Sequence, residues 1–355
     1  MKLFPFIGRV PAPGRMEYPA IEPVPEGLHR PFWSVMIPTY NRAKFLEKTL
    51  KSVFDQDPGP DEMQIEVVDN CSTEGNLEVV VKKVGKNRVS FYRQLRHVGI
   101  SVNWNTCINR ARGHLVHILH DDDIVLPGFY RHLGEAFQSE AAVGAAFCRC
   151  IYMDEESHWQ SLSLLERKTP GILADWLERI AVVQRIQTPA VVVKRRVYED
   201  LGGFCPELFY ACDWEMWKRI AARYPVWYEP QPLACFRVHA FSTSACLIKS
   251  GLGSDIADTR RAIEISQSYL PKKTANQLSS RAKEHYALYA LTTARRMIAA
   301  GDIAGTISQI QEAFKCSCSL KVVTALLRFL MWAVARGTQR TVRQLSVQKK
   351  GINGS

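Results

Sequence analysis

Apolar residues crowd Trp33–Ile37 and stop at Pro38, and this short run reads as a buried strand. Beyond it, Phe45, Leu46, Leu50, Val53 and Phe54 recur at helical spacing, which predicts a helix over Ala43–Phe54. The alternation then repeats. Ile65–Val68, Val89–Tyr92 and Leu115–Leu119 carry the apolar runs of strands, while Leu77–Val84 and Ser101–Ala111 carry the spacing of helices. Strands and helices alternating at this interval predict a parallel sheet covered on both faces. After Asp123 the pattern loosens: strands are expected at Val143–Phe147 and Ala190–Val193, helices at Leu173–Ala181 and Trp214–Ala222. From Asp255 onward the reading is helical. Asp302 can cap a helix over Ile303–Phe314, and Ser319 one over Leu320–Ala335. Residues 1–30 hold six prolines and little periodicity, as a loose leader wrapped on the domain surface would.

Composition narrows the class. At 355 residues the chain exceeds what one compact core usually organises, so two units, or one with an appendage, are expected. Hydrophobic content of 46% with 23% charged residues excludes wholesale disorder. The net charge of +11 is unevenly placed: no acidic residue follows Glu312, whereas Lys315, Lys321, Arg328, Arg336, Arg340, Arg343, Lys349 and Lys350 do. This basic tail lacks the interleaved aromatics of a nucleic-acid binder, so no nucleic-acid partner is expected. Ten cysteines without zinc-knuckle spacing, behind no signal peptide, read as free thiols in a reducing cytoplasm. No apolar run reaches the ~18 residues that span a bilayer, and a cytoplasmic protein is the expectation.

Polar residues gather where the first, second and fourth strands end: Pro38-Thr-Tyr-Asn-Arg42, Asp69-Asn-Cys-Ser-Thr73 and His120-Asp-Asp-Asp123. Ligands of open α/β sheets occupy the crevice at the carboxyl ends of strands, so the three exits converge on one site. Consecutive carboxylates repel one another, and a hard divalent cation, Mg²⁺ or Mn²⁺, relieves that repulsion while binding a diphosphate. A solvated acidic turn, or a helix cap ahead of Pro127, is the plainer alternative. Neither G-x-G-x-x-G after strand one nor G-x-x-x-x-G-K-[ST] occurs, which argues against a dinucleotide site and a P-loop.

Together with Cys212-Asp-Trp-Glu-Met-Trp-Lys-Arg219 and Phe236-Arg-Val-His-Ala-Phe-Ser242, these blocks resemble the family 2 glycosyltransferases of GT-A fold. The resemblance runs from about residue 33 to 245. It implies an α/β, Rossmann-like, mostly parallel sheet with helices on both faces, plus an all-helical C-terminal appendage. The divisions would be a leader at 1–30, a GT-A domain at 31–250 (nucleotide-sugar half 31–123, acceptor half 124–250), a helical region at 251–345 and a flexible tail at 346–355. Pro38, Thr39, Tyr40, Arg42 and Asp69 would line the nucleotide pocket, Asp69 accepting from a pyrimidine N–H and so favouring UDP- or dTDP-type donors. Asp122 matches the metal-binding carboxylate, with Asp123 and His239 beside it, and Asp121 its nucleotide-side partner. His120 stands where many members have an acidic residue. Asp213 matches the general base, with Cys212 where Glu is usual, and could equally cap the helix from Trp214. His97, Trp214 and Arg237 are candidate acceptor or diphosphate contacts, with surface or packing roles as the alternatives.

The implied reaction is a metal-assisted, inverting displacement. It moves sugar from a nucleotide-diphosphate donor to a glycan, lipid-linked or small-molecule hydroxyl, in cell-surface polysaccharide or glycoconjugate synthesis. A sugar nucleotidyltransferase, or a GT-A protein that binds nucleotide sugar with impaired turnover, are the rival readings. Leu320–Val334 is mostly apolar, interrupted by Lys321 and Arg328. It fits an amphipathic helix resting on the cytoplasmic face of an anionic membrane, or a bundle helix. The bundle is slightly favoured, because packing on the body would use the same apolar residues.

Overall fold

The computed structural model describes residues 18–335. Residues 18–30 run along the body: Ile21 is buried in the core, the Tyr18 hydroxyl donates to Glu215 at 2.9 Å, and the Glu22 carbonyl accepts from Arg195 at 2.9 Å. Residues 1–17 of the leader and the whole 346–355 tail lie outside the described residues.

The first half is β1 (Trp33–Thr39), α1 (Ala43–Phe54), β2 (Met63–Asp69), α2 (Leu77–Gly85), β3 (Ser90–Arg93), α3 (Ile100–Arg110) and β4 (Leu115–Ile118). Side chains alternate across a strand. Val35 and Ile37 therefore enter one apolar layer with Leu46 and Leu50 of α1, and Met36 the opposite layer with Trp104 and Ile108 of α3. These strands are parallel, in the order β3-β2-β1-β4. The chain builds outward from β1 to β3, then returns to the far side of β1, so the order reverses between β1 and β4. Pro38 does not end β1, as its sequence position suggests; it pairs in register with Val68, and the strand reaches Thr39. Its missing N–H is tolerated because the β1–β4 ladder has already stopped at Met36 and Ile118, where a crevice opens.

Beyond β4 the sheet turns mixed. It comprises β5 (Ile124–Val125), α4 (Phe129–Ser139), β6 (Ala145–Met153), β7 (Trp159–Leu162), β8 (Gly171–Ile172), α5 (Trp176–Val182), β9 (Val191–Lys194), α6 (Arg195–Leu201), α7 (Cys212–Ala221) and β10 (Val226–Arg237). The order continues β4-β9-β6-β10-β5; β9 is antiparallel to both its neighbours, and β10 is parallel to β6. β10 escapes a periodicity reading because Pro230 and Pro232 interrupt it, with register shifts around Pro232. The helix expected from Leu173 begins only at Trp176, since Gly171 and Ile172 first pair with β10. α7 begins two residues earlier than its cap reading requires: Ala211 is the N-cap, and Asp213 sits inside the first turn.

Helices α8 (Thr243–Lys249), α9 (Ser254–Ser266), α10 (Ala275–Ala300) and α11 (Ile303–Cys316) follow, and residues 320–335 form α12. Asp302 caps α11 by accepting from the Gly305 N–H at 2.8 Å. α9 packs on α7 and α10, which ties the helical segment to the sheet domain. All ten cysteines are free.

Candidate active site

The loops after β1, β2 and β4 meet where the strand order reverses, the usual ligand position of such sheets. Asn41 (φ 55°) and Cys71 (φ 61°) adopt left-handed backbone there, a cost of about 1 kcal/mol or more for a residue with a side chain. Local hydrogen bonds offset it. Asn41 accepts from the backbone of Thr73 at 2.8 Å and Glu74 at 3.0 Å, and its own N–H donates to the Ser72 hydroxyl at 2.9 Å. Asp69 is fully buried, and its Oδ1 accepts from the Ser72 N–H at 3.0 Å and hydroxyl at 2.5 Å. Its Oδ2 accepts no hydrogen bond, with the Arg93 guanidinium 3.2 Å away. At the mouth, the Tyr40 and His97 rings lie 4.3 Å apart, and His97 Nδ1 is 3.2 Å from the Asn70 carbonyl.

Asp121 joins two of the loops: its Oδ2 accepts from the Thr39 hydroxyl at 2.5 Å and from the Tyr40 N–H at 3.3 Å. The Thr49 hydroxyl bridges the carbonyls of Asp121 and Asp123 at 3.0 and 2.7 Å. Arg42 pairs with Asp122 and lies 3.5 Å from Asp121. Burial pushes Asp121 up to about 7, with Arg42 opposing and Asp122 adding to the rise. Burial, then the Asp122 charge, push Asp123 up to about 6. Burial works the same way on Asp122, but the His239 hydrogen bond and the charges of Arg42 and His120 outweigh it, and the net shift is downward.

His120, Asp122 and Asp123 each offer a ligand atom, all within 4.8 Å of one another. Among the described residues Asp123 Oδ2 and His120 Nε2 are buried without a hydrogen-bond partner, His120 Nδ1 lying 3.4 Å from that Oδ2. Two carboxylates and an imidazole suit a hard or borderline divalent ion, so these residues fit one. The grouping differs from the expected ligand set in one member. His239 turns its Nε2 to Asp122 Oδ2 at 2.9 Å, while His120 completes the three-donor group.

Asp213 is half-buried. Its Oδ1 accepts from the Trp214 N–H at 2.6 Å and its Oδ2 from Gln184 Nε2 at 2.9 Å. Burial pushes its carboxyl up to about 6, against the Trp214 N–H, the His120 charge and Gln184. That range suits a group that takes a proton near neutrality. Gln184 belongs to no motif; its backbone N–H donates to the Tyr286 hydroxyl of α10 at 3.2 Å. Asp258 of α9 was equally silent in the sequence. Buried, it gathers the N–H groups of Tyr210 and Ala211 at 2.8 Å each and of Phe209 at 3.3 Å, just ahead of α7.

Two candidate contacts lie elsewhere. Trp214 is core: its indole N–H donates to the Ile180 carbonyl at 2.7 Å, and Lys218 Nζ lies 3.6 Å from its ring centre. Its large apolar ring is better buried than offered to a sugar. Arg237 is a clamp: its Nε donates to the Asp122 carbonyl at 2.7 Å, its N–H to Asp123 at 2.7 Å, and its Nη1 to the carbonyls of Asp154 and Glu155. Glu215, next to Asp213 in the same block, is fully buried and pairs with Arg219 at 3.0 Å. Burial holds the Cys212 thiol well above its usual range, and its side chain packs in the core.

The sheet and its flanking helices have the GT-A fold. Residues 34–202, a little under half of the chain, match the family model described as Glycosyl transferase family 2. Asp213 and His239 lie past the matched residues. An uncharacterized protein of Mycobacterium tuberculosis, MT1568, is 28% identical over 219 residues, 59% of this chain and 67% of that protein. The GalNAc(5)-diNAcBac-PP-undecaprenol beta-1,3-glucosyltransferase of Campylobacter jejuni is 35% identical over 100 residues, 28% of this chain and 32% of the relative. The chain thus spans about a third to two thirds of the length of these curated relatives. The crystal structure of Staphylococcus aureus TarS 1–349 shares the fold, with a TM-score of 0.57 at 14% identity over 78% of this chain and 80% of TarS.

Proposed function

We propose that the protein transfers a sugar, with inversion, from a UDP- or dTDP-type donor to an acceptor hydroxyl. The reading is supported by the acidic cluster at the strand-order reversal, where His120, Asp122 and Asp123 bring ligand atoms within 4.8 Å of one another, with Asp213, a carboxyl raised to about 6, as the proposed base on the acceptor side. Asp69 Oδ2, buried and accepting no hydrogen bond, suits a pyrimidine N–H; Thr39, Tyr40 and Arg42 frame the same pocket. Mg²⁺ or Mn²⁺ would be held by Asp122, Asp123 and His120, and when bound supplies Lewis-acid stabilisation of the departing diphosphate. Asp213 takes the proton of the acceptor hydroxyl as its oxygen attacks the anomeric carbon. Attack opposite the leaving group inverts that carbon, so no second nucleophilic carboxylate is needed. TarS has also been solved with UDP, at a TM-score of 0.56 and 14% identity. The Campylobacter relative is named for a glycan on PP-undecaprenol. Both support a UDP-sugar donor and a glycan or lipid-linked acceptor, in surface polysaccharide or glycoconjugate synthesis.

The test is nucleotide release from a panel of UDP-, dTDP- and GDP-sugars, with and without divalent metal. UDP or dTDP release that needs the metal is expected. Release from GDP-sugars alone would overturn the donor assignment. Pyrophosphate release from a nucleoside triphosphate and a sugar phosphate would mark a nucleotidyltransferase.

A further inference from the structure

α12 carries two separate sets of apolar residues. Val322 and Phe329 are buried, with Ala325 and Leu326 partly buried, and Val322 joins the core shared with α10 and α11. Leu320, Val323, Leu327, Leu330 and Met331 are 82, 36, 55, 45 and 65% exposed. The choice between a bundle helix and a surface helix therefore dissolves, because packing and exposure use different residues. At 3.6 residues per turn the five exposed side chains fall in one stripe about 100° wide and about 17 Å long. Lys321 and Arg328 both lie on one flank of it, about 60–80° round the helix. Single exposed apolar residues are ordinary, but a continuous stripe of five marks an interaction surface.

Charge identifies the partner. Lys321 is matched by Glu284 at 2.9 Å, and Arg328 is exposed. The sequence continues with Arg336, Arg340, Arg343, Lys349 and Lys350 and has no acidic residue after Glu312. A second copy of this surface would bring like charges together. A surface that is apolar beneath and anionic above complements both features. No helix among the described residues is long and apolar enough to cross a membrane, so contact would be by resting on it.

We propose that α12 docks the protein on an anionic lipid surface. Leu320, Val323, Leu327, Leu330 and Met331 enter the headgroup boundary, while Arg328 on the flank of the stripe meets the lipid phosphates. The test is co-sedimentation of the full chain with phosphatidylcholine vesicles, with and without phosphatidylglycerol, at low and high salt. Binding to the phosphatidylglycerol vesicles, weakened by salt, is expected. The double variant Leu327→Gln/Met331→Gln should bind about tenfold less, with an unchanged melting temperature because both residues are exposed. Absence of vesicle binding, equal binding to neutral vesicles, or undiminished binding of the double variant would each overturn the proposal. So would a dimer in sedimentation velocity that the double variant abolishes without any vesicle binding, since the stripe would then belong to a second copy.

Discussion

The donor-side loops and the segment presenting Asp213 are held in different ways. Thr39 and Tyr40 bind Asp121, Asn41 binds the loop after β2, and Thr49 bridges the acidic loop. All of these partners lie between residues 39 and 123, and Arg237 and His239 add hold on the acidic loop from farther along the chain. Asp213 is held from outside. Gln184 reaches it from before β9, Tyr286 of α10 fixes Gln184, and Asp258 of α9 anchors the chain entering α7. The family match ends at residue 202, and the helical segment beyond it supports the proposed base.

The largest effect should come from the donor side. Asp122→Asn removes the carboxylate whose pKa is held down by His239 and Arg42 despite burial. Turnover should fall about a thousandfold or more, as loss of several kcal/mol of charge stabilisation implies. Metal titration by calorimetry should weaken in parallel. Full turnover by the parent protein in excess chelator would remove the metal from the account.

Next comes Asp213→Asn, for which a loss of about 10²–10⁴ in transfer rate is expected, with donor affinity intact. The amide can still accept from the Trp214 N–H, and Asp213 is not the helix cap, so the melting temperature should stay close to the parent's. The base must be ionised, so the parent's rate should decline as pH falls through about 6. A variant that keeps both its rate and its acid limb would pass the role to another group. Glu215 is no substitute, being fully buried against Arg219.

Asp258→Asn then probes the outside support. Hydrogen bonds to a charged acceptor are worth about 1.5–3 kcal/mol, and the amide keeps one oxygen for three donors. A kcat lower by about tenfold with donor KM unchanged is expected, since a small shift of the base matters and the donor pocket is remote. Donor KM and kcat falling together would mean that the two halves are less separate than their hydrogen bonds indicate.

The same division decided what the sequence could tell. Asp69, Asp121 and Asp122 were legible because each follows a strand whose apolar run is unmistakable, and strand ends are where such sheets bind ligands. The parallel order of the first four strands follows from the same alternation. β5 and β8 were not legible, being two residues long and too short to show a period, and β7 is exposed at all four positions, so no apolar run marks it. Gln184, Asp258 and Tyr286 were hidden for another reason. Their partners lie 29, 47 to 49, and 102 residues away, and no local spacing encodes such pairings. Trp214 stayed open because an aromatic beside a candidate base looks the same in sequence whether it faces a sugar or the core.

The smallest effect expected concerns stability within the second region, at the seam between α7 and α9. Lys218 of α7 is fully buried, and its Nζ donates to the Ala262 carbonyl at 3.1 Å and the Ser266 hydroxyl at 2.7 Å, both on α9. Burial pushes its pKa from 10.5 down to about 7, with Glu215 and Asp213 pulling back. Between those two values the unfolded chain binds a proton that the folded protein does not. Unfolding therefore takes up a proton in this window, and stability rises with pH, by at most about 1.4 kcal/mol per unit from this group. Below about pH 7 both states are protonated and the slope vanishes. Lys218→Met keeps the packing against Trp214 and leaves Ser266 bonded to the Ala262 carbonyl at 2.6 Å, so no buried group is stranded. The expected result is a variant at least as stable as the parent near pH 7, since replacing a buried charge by an apolar side chain is often neutral or favourable. The parent should close that gap as pH rises from 7 to 9. Denaturant unfolding of both proteins across that range isolates Lys218, because every other titrating group is common to the two. A stability difference that stays constant with pH would show that Lys218 remains charged at the α7–α9 seam.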